Sequence, residues 1–391
     1  MKIIIVNDTY HPHVNGCSVF SQRFVHYLKE RGHDITVIGP ALEFKNSKRE
    51  VNGVKVYGVK TSSLFFKNDW GFRYAIPWFN KKYIRQIFDE VKPDLLHTQS
   101  HFPISRNVID VAIEKNIPLM GTNHFMAENL VHYLPGPEIF RKWLQEWLYK
   151  DFAKIFNKLQ KITTPTATAA KLIQKRIKQP VQVISNGIDL KIFNQNLEKK
   201  EELNEKYNIP KNTPNLYYVG RLDKEKNLDM VIKSAAIAMQ KVPFHLTLTG
   251  HGDEKENLKK LAKDLEISDH VTFTGFVSNE DLPYLYKLAD CFVMAGTAEL
   301  QSLVTMEAMA TGLPVLGVNA MAIPELVHNG ENGFLFEFGE VEDLADKMVK
   351  IFQNEKMRKE MSEKSLSIIE KHDIEKTLDE FEEIYKELKT V

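Results

Sequence analysis

The sequence predicts an α/β protein of two doubly wound, Rossmann-like parallel-sheet domains, and three observations carry that prediction. A chain of 391 residues, 43% of them hydrophobic, is too long for one ordinary domain and can fill more than one core. Short apolar runs of strand length alternate with amphipathic stretches of helix length along most of the chain. The alternation pauses at a charged segment, Glu198 to Lys211, and restarts at Leu216. A boundary between two domains is therefore expected near that segment.

In chain order, Lys2 to Val6 reads as a buried strand, Asn7 to Ser18 as a loop containing Gly16, and Val19 to Arg31 as an amphipathic helix stopped by Gly32. Asp34 to Ile38 follows as a second strand. In such a β-loop-α-β opening, ligands collect at the C-terminal ends of the strands. The loop lacks G-x-G-x-x-G, which weakens a dinucleotide reading, and Gly16 by itself is equally a turn residue. Further strands are expected at Val54 to Val59, Leu95 to His97, Pro118 to Gly121, Ile162 to Thr164 and Val181 to Ile184, with a helix at Ile104 to Lys115. His97, His101 and His124 fall at or just beyond strand ends, where binding loops sit, although a lone histidine there is most often structural.

Two stretches are unusual for such a domain. Ser63 to Phe79 is crowded with aromatics and broken by Gly71 and Pro77. Phe125 to Lys161 contains HYLPGP and then a helix on which Phe140, Trp143, Leu144, Trp147, Leu148 and Phe152 recur at helical spacing beside Arg141, Lys142, Lys150, Lys154 and Lys158. That apolar stripe either packs into the domain or lies in the headgroup layer of an anionic membrane, where Trp and Lys are the fitting residues.

In the second half, Leu216 to Val219 opens a new sheet that continues through His245 to Thr249, Val271 to Thr274, Asp290 to Ala295 and Val315 to Val318. Gly220 and Arg221 close the first of these strands, and Lys226 precedes a helix whose N-cap is expected to be Asn227. An arginine fork can clamp a phosphate and a lysine adds a point charge, but exposed Arg and Lys are common. After the fourth strand a tight loop leads into a helix from Leu303 to Thr311, with Ser302 as its N-cap and Gly312 as its stop. The free N–H groups of Leu303 and Val304 then make an anion site suited to a diphosphate. Glu299 and Glu307 flank it, and since carboxylates do not bind phosphate, sugar and ribose hydroxyls are their natural partners. Taken alone, the two glutamates read as a solvated loop residue and a surface helix residue.

Composition narrows the function. There is no 18-residue apolar run and no charged-then-apolar N-terminal signal, so a soluble cytoplasmic protein is expected. Cys17 and Cys291 are too few for a disulfide framework or a zinc site. A net charge of zero conceals an asymmetry: residues 1–185 hold 27 Lys and Arg against 15 Asp and Glu, leaving 25 against 37 in the rest. The first half, at +12, is either a solvated surface or a face for an anionic partner.

Glu299 and Glu307, with the AMATGLPV that follows, resemble the E-x7-E motif of retaining glycosyltransferases of family 4, which have the GT-B architecture of two Rossmann-like domains facing a central cleft. GRLDKEKN resembles the family's G-R-x-x-x-x-K-N pattern, GTNHF its T-x-H segment, and VISNGIDLKIF its entry to the second domain. The resemblance thus implies residues 1–190 as the first domain, completed by the charged terminal helix at about 374–391, and residues 191–373 as the second. The resemblance implies metal-free, cofactor-free transfer of a hexose from a UDP- or GDP-sugar with retained configuration. It implies that His124 lies beside the reacting carbon, that Arg221 and Lys226 hold the diphosphate, and that Glu299 holds the sugar and Glu307 the ribose. Gly16, Gly220, Gly250 and the backbone at Phe276 and Val277 are implied to lie around the donor; His101, from its place beyond a strand end and not from the resemblance, is expected on the acceptor side. With NHFMAENLVHYLP and the basic aromatic helix, the chain looks most like members that glycosylate diacylglycerol or a related lipid. Peripheral attachment to the inner face of the cell membrane, through Arg141, Lys142, Trp143, Trp147, Lys150 and Lys154, would follow. Nucleic acid is not an expected partner. A polysaccharide or small-glycoside acceptor, an epimerase or phosphorylase on the same scaffold, and a non-catalytic binder of nucleotide sugar are the competing readings.

Overall fold

The computed structural model describes residues 1–13, 15–62, 74–75, 80–131 and 137–390. It forms two compact units, Met1–Ser185 with Thr377–Val391, and Asn186–Lys376. Most of the Ser63 to Phe79 stretch, and HYLPG at 132–136, lie outside the described residues.

The first unit's strands are Lys2–Val6 (β1), Asp34–Pro40 (β2), Ser47–Val51 (β3), Val54–Val59 (β4), Thr61–Ser62 (β5), Tyr74–Ala75 (β6), Leu95–Thr98 (β7), Leu119–Thr122 (β8), Lys161–Thr164 (β9) and Val181–Val183 (β10). Eight form one sheet in the order β10-β9-β8-β7-β1-β2-β4-β3, parallel throughout except that β3 runs antiparallel to β4; β5 and β6 pair separately. β1 lies inside the sheet between β2 and β7, which is why its IIIV is wholly buried: a parallel strand covered on both faces reads as a continuous apolar run. Its helices are Gly16–Glu30 (α1), Lys81–Val91 (α2), Pro103–Glu114 (α3), Ala127–Val131 (α4), Glu138–Phe156 (α5) and Ala167–Gln174 (α6). Ile4, Val6 and Leu96 of the inner strands pack in one core with Ile104 and Val108 of α3 and Phe152 and Phe156 of α5.

The second unit has Asn215–Val219 (β11), His245–Thr249 (β12), Val271–Gly275 (β13), Cys291–Met294 (β14), Val315–Val318 (β15) and Gly333–Phe336 (β16) in a wholly parallel sheet ordered β13-β12-β11-β14-β15-β16. Its helices are Glu202–Tyr207 (α7), Leu228–Met239 (α8), Lys255–Asp264 (α9), Leu282–Lys287 (α10), Leu303–Ala310 (α11), Val341–Gln353 (α12) and Glu355–Ile369 (α13). The sheet order reverses at β11 and β14, the kind of switch point that leaves a crevice at strand C-termini. A last helix, Ile374–Lys389 (α14), starts in the second unit and runs on into the first. There its Phe381 and Tyr385 are fully buried, and His33 bonds Glu382 at 2.9 Å.

Two local expectations are corrected. Helix α1 begins at Gly16 rather than at Val19, because the Asn15 side chain accepts the Ser18 N–H at 2.9 Å and caps it. Asn227 does not cap α8 with its side chain: it sits in the left-handed region (φ 52°) and sends Nδ2 to Ala295 O, 2.8 Å away.

Candidate functional site

The second unit gathers charge at the ends of its strands. Gly220 and Gly250 end β11 and β12 with φ of +152° and +134°, and a Cβ on Gly250 would lie 1.9 Å from Gly220 O, so only glycine lets the two turns touch. The Arg221 guanidinium pairs through Nη1 with Asp223 and through Nη2 with Glu225, whose side chains are both almost fully buried. Lys226 Nζ donates to Glu299 Oε1 at 2.6 Å and lies 3.5 Å from Glu225 Oε1. Burial works to lower the Lys226 ammonium, but Glu299 and Glu225 overcome it and leave its pKa raised. Burial likewise raises Asp223 against the pull of Arg221. The two cations expected to hold a phosphate are thus interleaved with three carboxylates.

The loop after β14 brings in the rest. Ser302 caps α11, its side chain accepting the Thr305 N–H, and the N–H groups of Leu303 and Val304 have no partner among the described residues. The Asn227 to Ala295 bond ties this loop to the Lys226 turn, which places Glu299 against Lys226. Glu307 is 2% exposed and accepts from the Tyr286 hydroxyl at 2.9 Å, so it is not the surface helix residue that its sequence alone allowed. After β13 the Phe276 N–H donates to His251 Nε2 at 3.0 Å, so that donor is occupied; the Phe276 ring is 69% exposed and Val277 is buried.

The first unit builds a site of a different character. Asp8, in the loop after β1, accepts from the Ile104 N–H (2.8 Å), the Ser105 N–H (3.2 Å) and the hydroxyls of Ser105 (2.5 Å) and Ser100 (2.7 Å), which fixes that loop against the start of α3. Burial nonetheless leaves its carboxyl raised. Gly16 stands exposed as the first residue of α1, and a Cβ there would meet nothing within 4 Å, so packing does not demand a glycine. His124 follows β8, its ring 4.8 Å from Phe20 and its Nε2 2.9 Å from Gln99 Oε1. Burial pushes it down to about 3, leaving a neutral imidazole.

His101 corrects the sequence expectation of an acceptor contact. It is 1% exposed, with its ring centroid 4.3, 4.5 and 5.1 Å from those of Phe102, Phe125 and Phe152, and burial pushes it to about 3. It is a core residue.

Helix α5 divides along its length. Tyr149, Phe152, Ala153, Ile155 and Phe156 are buried, whereas Ile139, Phe140, Trp143 and Trp147 are 83, 44, 60 and 51% exposed. Arg141, Lys142, Lys150 and Lys154 are exposed on the same helix, Lys142 bonding Glu138 at 2.7 Å. The apolar stripe packs at one end and faces solvent at the other.

Asp223, Glu225, Tyr286, His251 and Gln99 were not anticipated. Only Asp223 and Glu225 had a visible signal, being acidic residues inside the same GRLDKEKN segment. Among the described residues no group of three or more His, Cys, Asp or Glu side chains could hold a metal ion, and no helix is long and apolar enough to cross a membrane.

The chain matches the family model described as Glycosyltransferase Family 4 over residues 14–192 and the model described as Glycosyl transferases group 1 over residues 199–367. The alpha-monoglucosyldiacylglycerol synthase of Streptococcus pneumoniae is 28% identical over 351 residues, 88% of this chain and 77% of that protein. Among solved structures, the sucrose-phosphate synthase of Thermosynechococcus elongatus aligns with a TM-score of 0.80 at 17% identity, covering 99% of each chain. Anabaena HepE in complex with UDP and glucose aligns at 0.77 and 17%, covering 99% of this chain and 100% of that one.

Proposed function

From the premise that the chain belongs to glycosyltransferase family 4 and has the GT-B fold, we propose that it moves a hexose from a nucleoside diphosphate sugar, with retention, to the hydroxyl of a membrane lipid such as diacylglycerol. The observation that carries the lipid acceptor is the uncovered start of α5, where Ile139, Phe140, Trp143 and Trp147 stand among exposed Arg and Lys. Such a face suits adsorption to an anionic bilayer, each nearby Lys or Arg contributing about 1 kcal/mol. The name of the pneumococcal relative, and the UDP and glucose bound to HepE, support the same reading.

Cleaving the anomeric bond builds negative charge on the departing diphosphate and positive charge on the sugar ring. Arg221, Lys226 and the N–H groups of Leu303 and Val304 are assigned to the diphosphate, an electrostatic role worth roughly 3 kcal/mol per donor in the transition state. Diphosphate arriving at Lys226 competes with Glu299 for the ammonium, and a released Glu299 is free to accept from a sugar hydroxyl. Glu307 is assigned to the ribose. His124 is assigned to the transferred sugar on resemblance, as a neutral ring. The acceptor hydroxyl attacks from the face that the diphosphate leaves and gives its proton to the departing phosphate oxygen. No metal or cofactor is invoked, so EDTA is expected to leave turnover intact. The protein would work at the inner face of the cell membrane as a peripheral enzyme.

Mass spectrometry of products from a panel of UDP- and GDP-sugars, with diacylglycerol in anionic vesicles, tests this reading. The expected result is one glycosylated lipid, with protein sedimenting on anionic vesicles and released by salt. Replacing Arg141, Lys142, Lys150 and Lys154 by Glu should abolish sedimentation and spare nucleotide binding. Equal binding to neutral vesicles, or full turnover on a water-soluble sugar with none on diacylglycerol, would overturn the lipid acceptor.

A further inference from the structure

The His124 ring is one end of a buried line of side chains that reaches the last helix. His124 Nε2 is 2.9 Å from Gln99 Oε1, Gln99 Nε2 is 3.1 Å from His97 Nε2, and His97 Nδ1 is 2.8 Å from the Tyr385 hydroxyl on α14. His97 and Tyr385 are fully buried and Gln99 is 1% exposed. Thr122 Oγ1, 2.7 Å from Thr163 Oγ1, also reaches His97 Nε2 at 2.8 Å. Burial pushes both imidazoles to about 3, so at neutral pH each carries a single N–H.

An amide gives such a line a direction, because its oxygen only accepts and its nitrogen only donates. With Gln99 Oε1 toward His124, the His124 proton must be on Nε2. With Gln99 Nε2 toward His97, that ring must accept at Nε2 and carry its proton on Nδ1, from which it donates to Tyr385. His124 Nδ1, which has no partner among the described residues, is left as a lone pair able to accept from a hydroxyl. Turning the amide over would reverse every one of these assignments together.

Resting on the assignment of His124 to the transferred sugar, we propose that Gln99, His97 and Tyr385 are positioning residues that fix the His124 tautomer, the Gln99 amide setting the direction of the line and Tyr385 on the last helix anchoring its far end. Packing alone does not ask for this arrangement. A phenylalanine at 385 would fill the same buried volume, and the hydroxyl matters only as the end of the line.

Nitrogen-15 NMR of ring-labelled histidine in the full chain reads the tautomer directly. Wild-type His124 is expected as the Nε2–H form. In Tyr385→Phe, His97 Nδ1–H loses its acceptor, so the proton moves to His97 Nε2, where Thr122 and the turned amide of Gln99 can accept it. His124 then shifts toward the Nδ1–H form by about tenfold in tautomer ratio, the worth of one buried hydrogen bond. The kcat should fall by a similar factor with little change in donor KM, while circular dichroism shows the fold intact. In a Gln99→Leu background, Tyr385→Phe should add nothing, because the line is already cut. Unchanged His124 nitrogens in Tyr385→Phe, or additive effects of the two changes, would overturn the inference. The spectrum does not depend on activity, so full turnover by His124→Ala would defeat the functional assignment separately.

Discussion

Positive charge is held in two ways in this chain. Arg221 and Lys226 are bound by carboxylates, Arg221 by the buried Asp223 and Glu225 and Lys226 by the half-buried Glu299 at 2.6 Å, so their nitrogens are aimed before any ligand arrives. On α5, Arg141, Lys150 and Lys154 stand in solvent on long side chains beside exposed tryptophans. Aimed cations select one anion of fixed geometry, since their orientation is settled in advance. Loose cations follow any anionic surface and lose their hold as salt rises. On the proposed function, the same two residue types would serve recognition in one unit and adsorption in the other.

The largest expected effect tests the case that both arrangements avoid, a buried cation with neither carboxylate nor water. Burial depresses His97, His101 and His124 to about 3, against about 6.5 in an unfolded chain. Between those values the unfolded state binds protons that the folded state refuses, so stability falls as pH falls below about 6.5. Each histidine should cost about 2 kcal/mol between pH 7.5 and pH 5, or about 6 kcal/mol for the three. Denaturant unfolding across that range measures it; a flat stability would mean that these rings accept protons in the folded state.

How much of this was legible follows from what each feature needs. β1, β4, β12 and β15 were legible to the residue because an inner parallel strand is an apolar run with polar ends. The edge strand β3, SKREV, was not, since four of its five residues are polar or charged and it lies against one neighbour only. The candidate donor-site residues were legible through short motifs, but their pairing was not. Lys226 and Glu299 are 73 residues apart, and only the fold places them together. His97 and Tyr385 are 288 residues apart, in segments that gave no mutual signal. The burial of His101 was missed because its cage draws on Phe102, Phe125 and Phe152 from three different segments.

The aimed cations come next in size. Arg221→Ala or Lys226→Ala should lower turnover by roughly 100- to 1000-fold, about 3 kcal/mol, and weaken nucleoside diphosphate binding in calorimetry. The Arg221 change also leaves Asp223 and Glu225 facing each other, so a thermal melt should accompany it. Unaltered affinity in a folded variant would remove these residues from the diphosphate site. The fourfold change of Arg141, Lys142, Lys150 and Lys154 to Glu, by contrast, should leave that affinity alone.

The two glutamates sharpen the comparison further, because Glu299 is bound to an aimed cation and Glu307 to the Tyr286 hydroxyl. Glu307→Ala should weaken bare nucleoside diphosphate by about ten- to a hundredfold, the worth of a charged hydrogen bond to ribose. Glu299→Ala should spare that affinity, since it releases Lys226 rather than removing a ribose contact, and should lower turnover instead. Equal losses of bare-nucleotide affinity in the two variants would refute the division.

The smallest effect is the most discriminating, because its sign differs between the readings of α5. Glu138 stands in the first turn of the helix, where a carboxylate complements the helix dipole, and it bonds exposed Lys142 at 2.7 Å; that bond lowers the Glu138 pKa and raises that of Lys142. If α5 is only a structural helix, Glu138→Gln loosens its first turn and leaves vesicle binding unchanged or weaker. If the face adsorbs to anionic lipid, the same change removes a repelling charge and frees Lys142, and binding should strengthen by about fivefold, the value of one elementary charge near such a surface. The gain should vanish at high salt and be absent with neutral vesicles. Trp143→Ser and Trp147→Ser should weaken binding at any salt, because they remove apolar contact rather than charge. Sedimentation of the single variants at low and high salt therefore separates the two contributions, and no gain for Glu138→Gln at low salt would show that the exposed cations of α5 do not face the membrane.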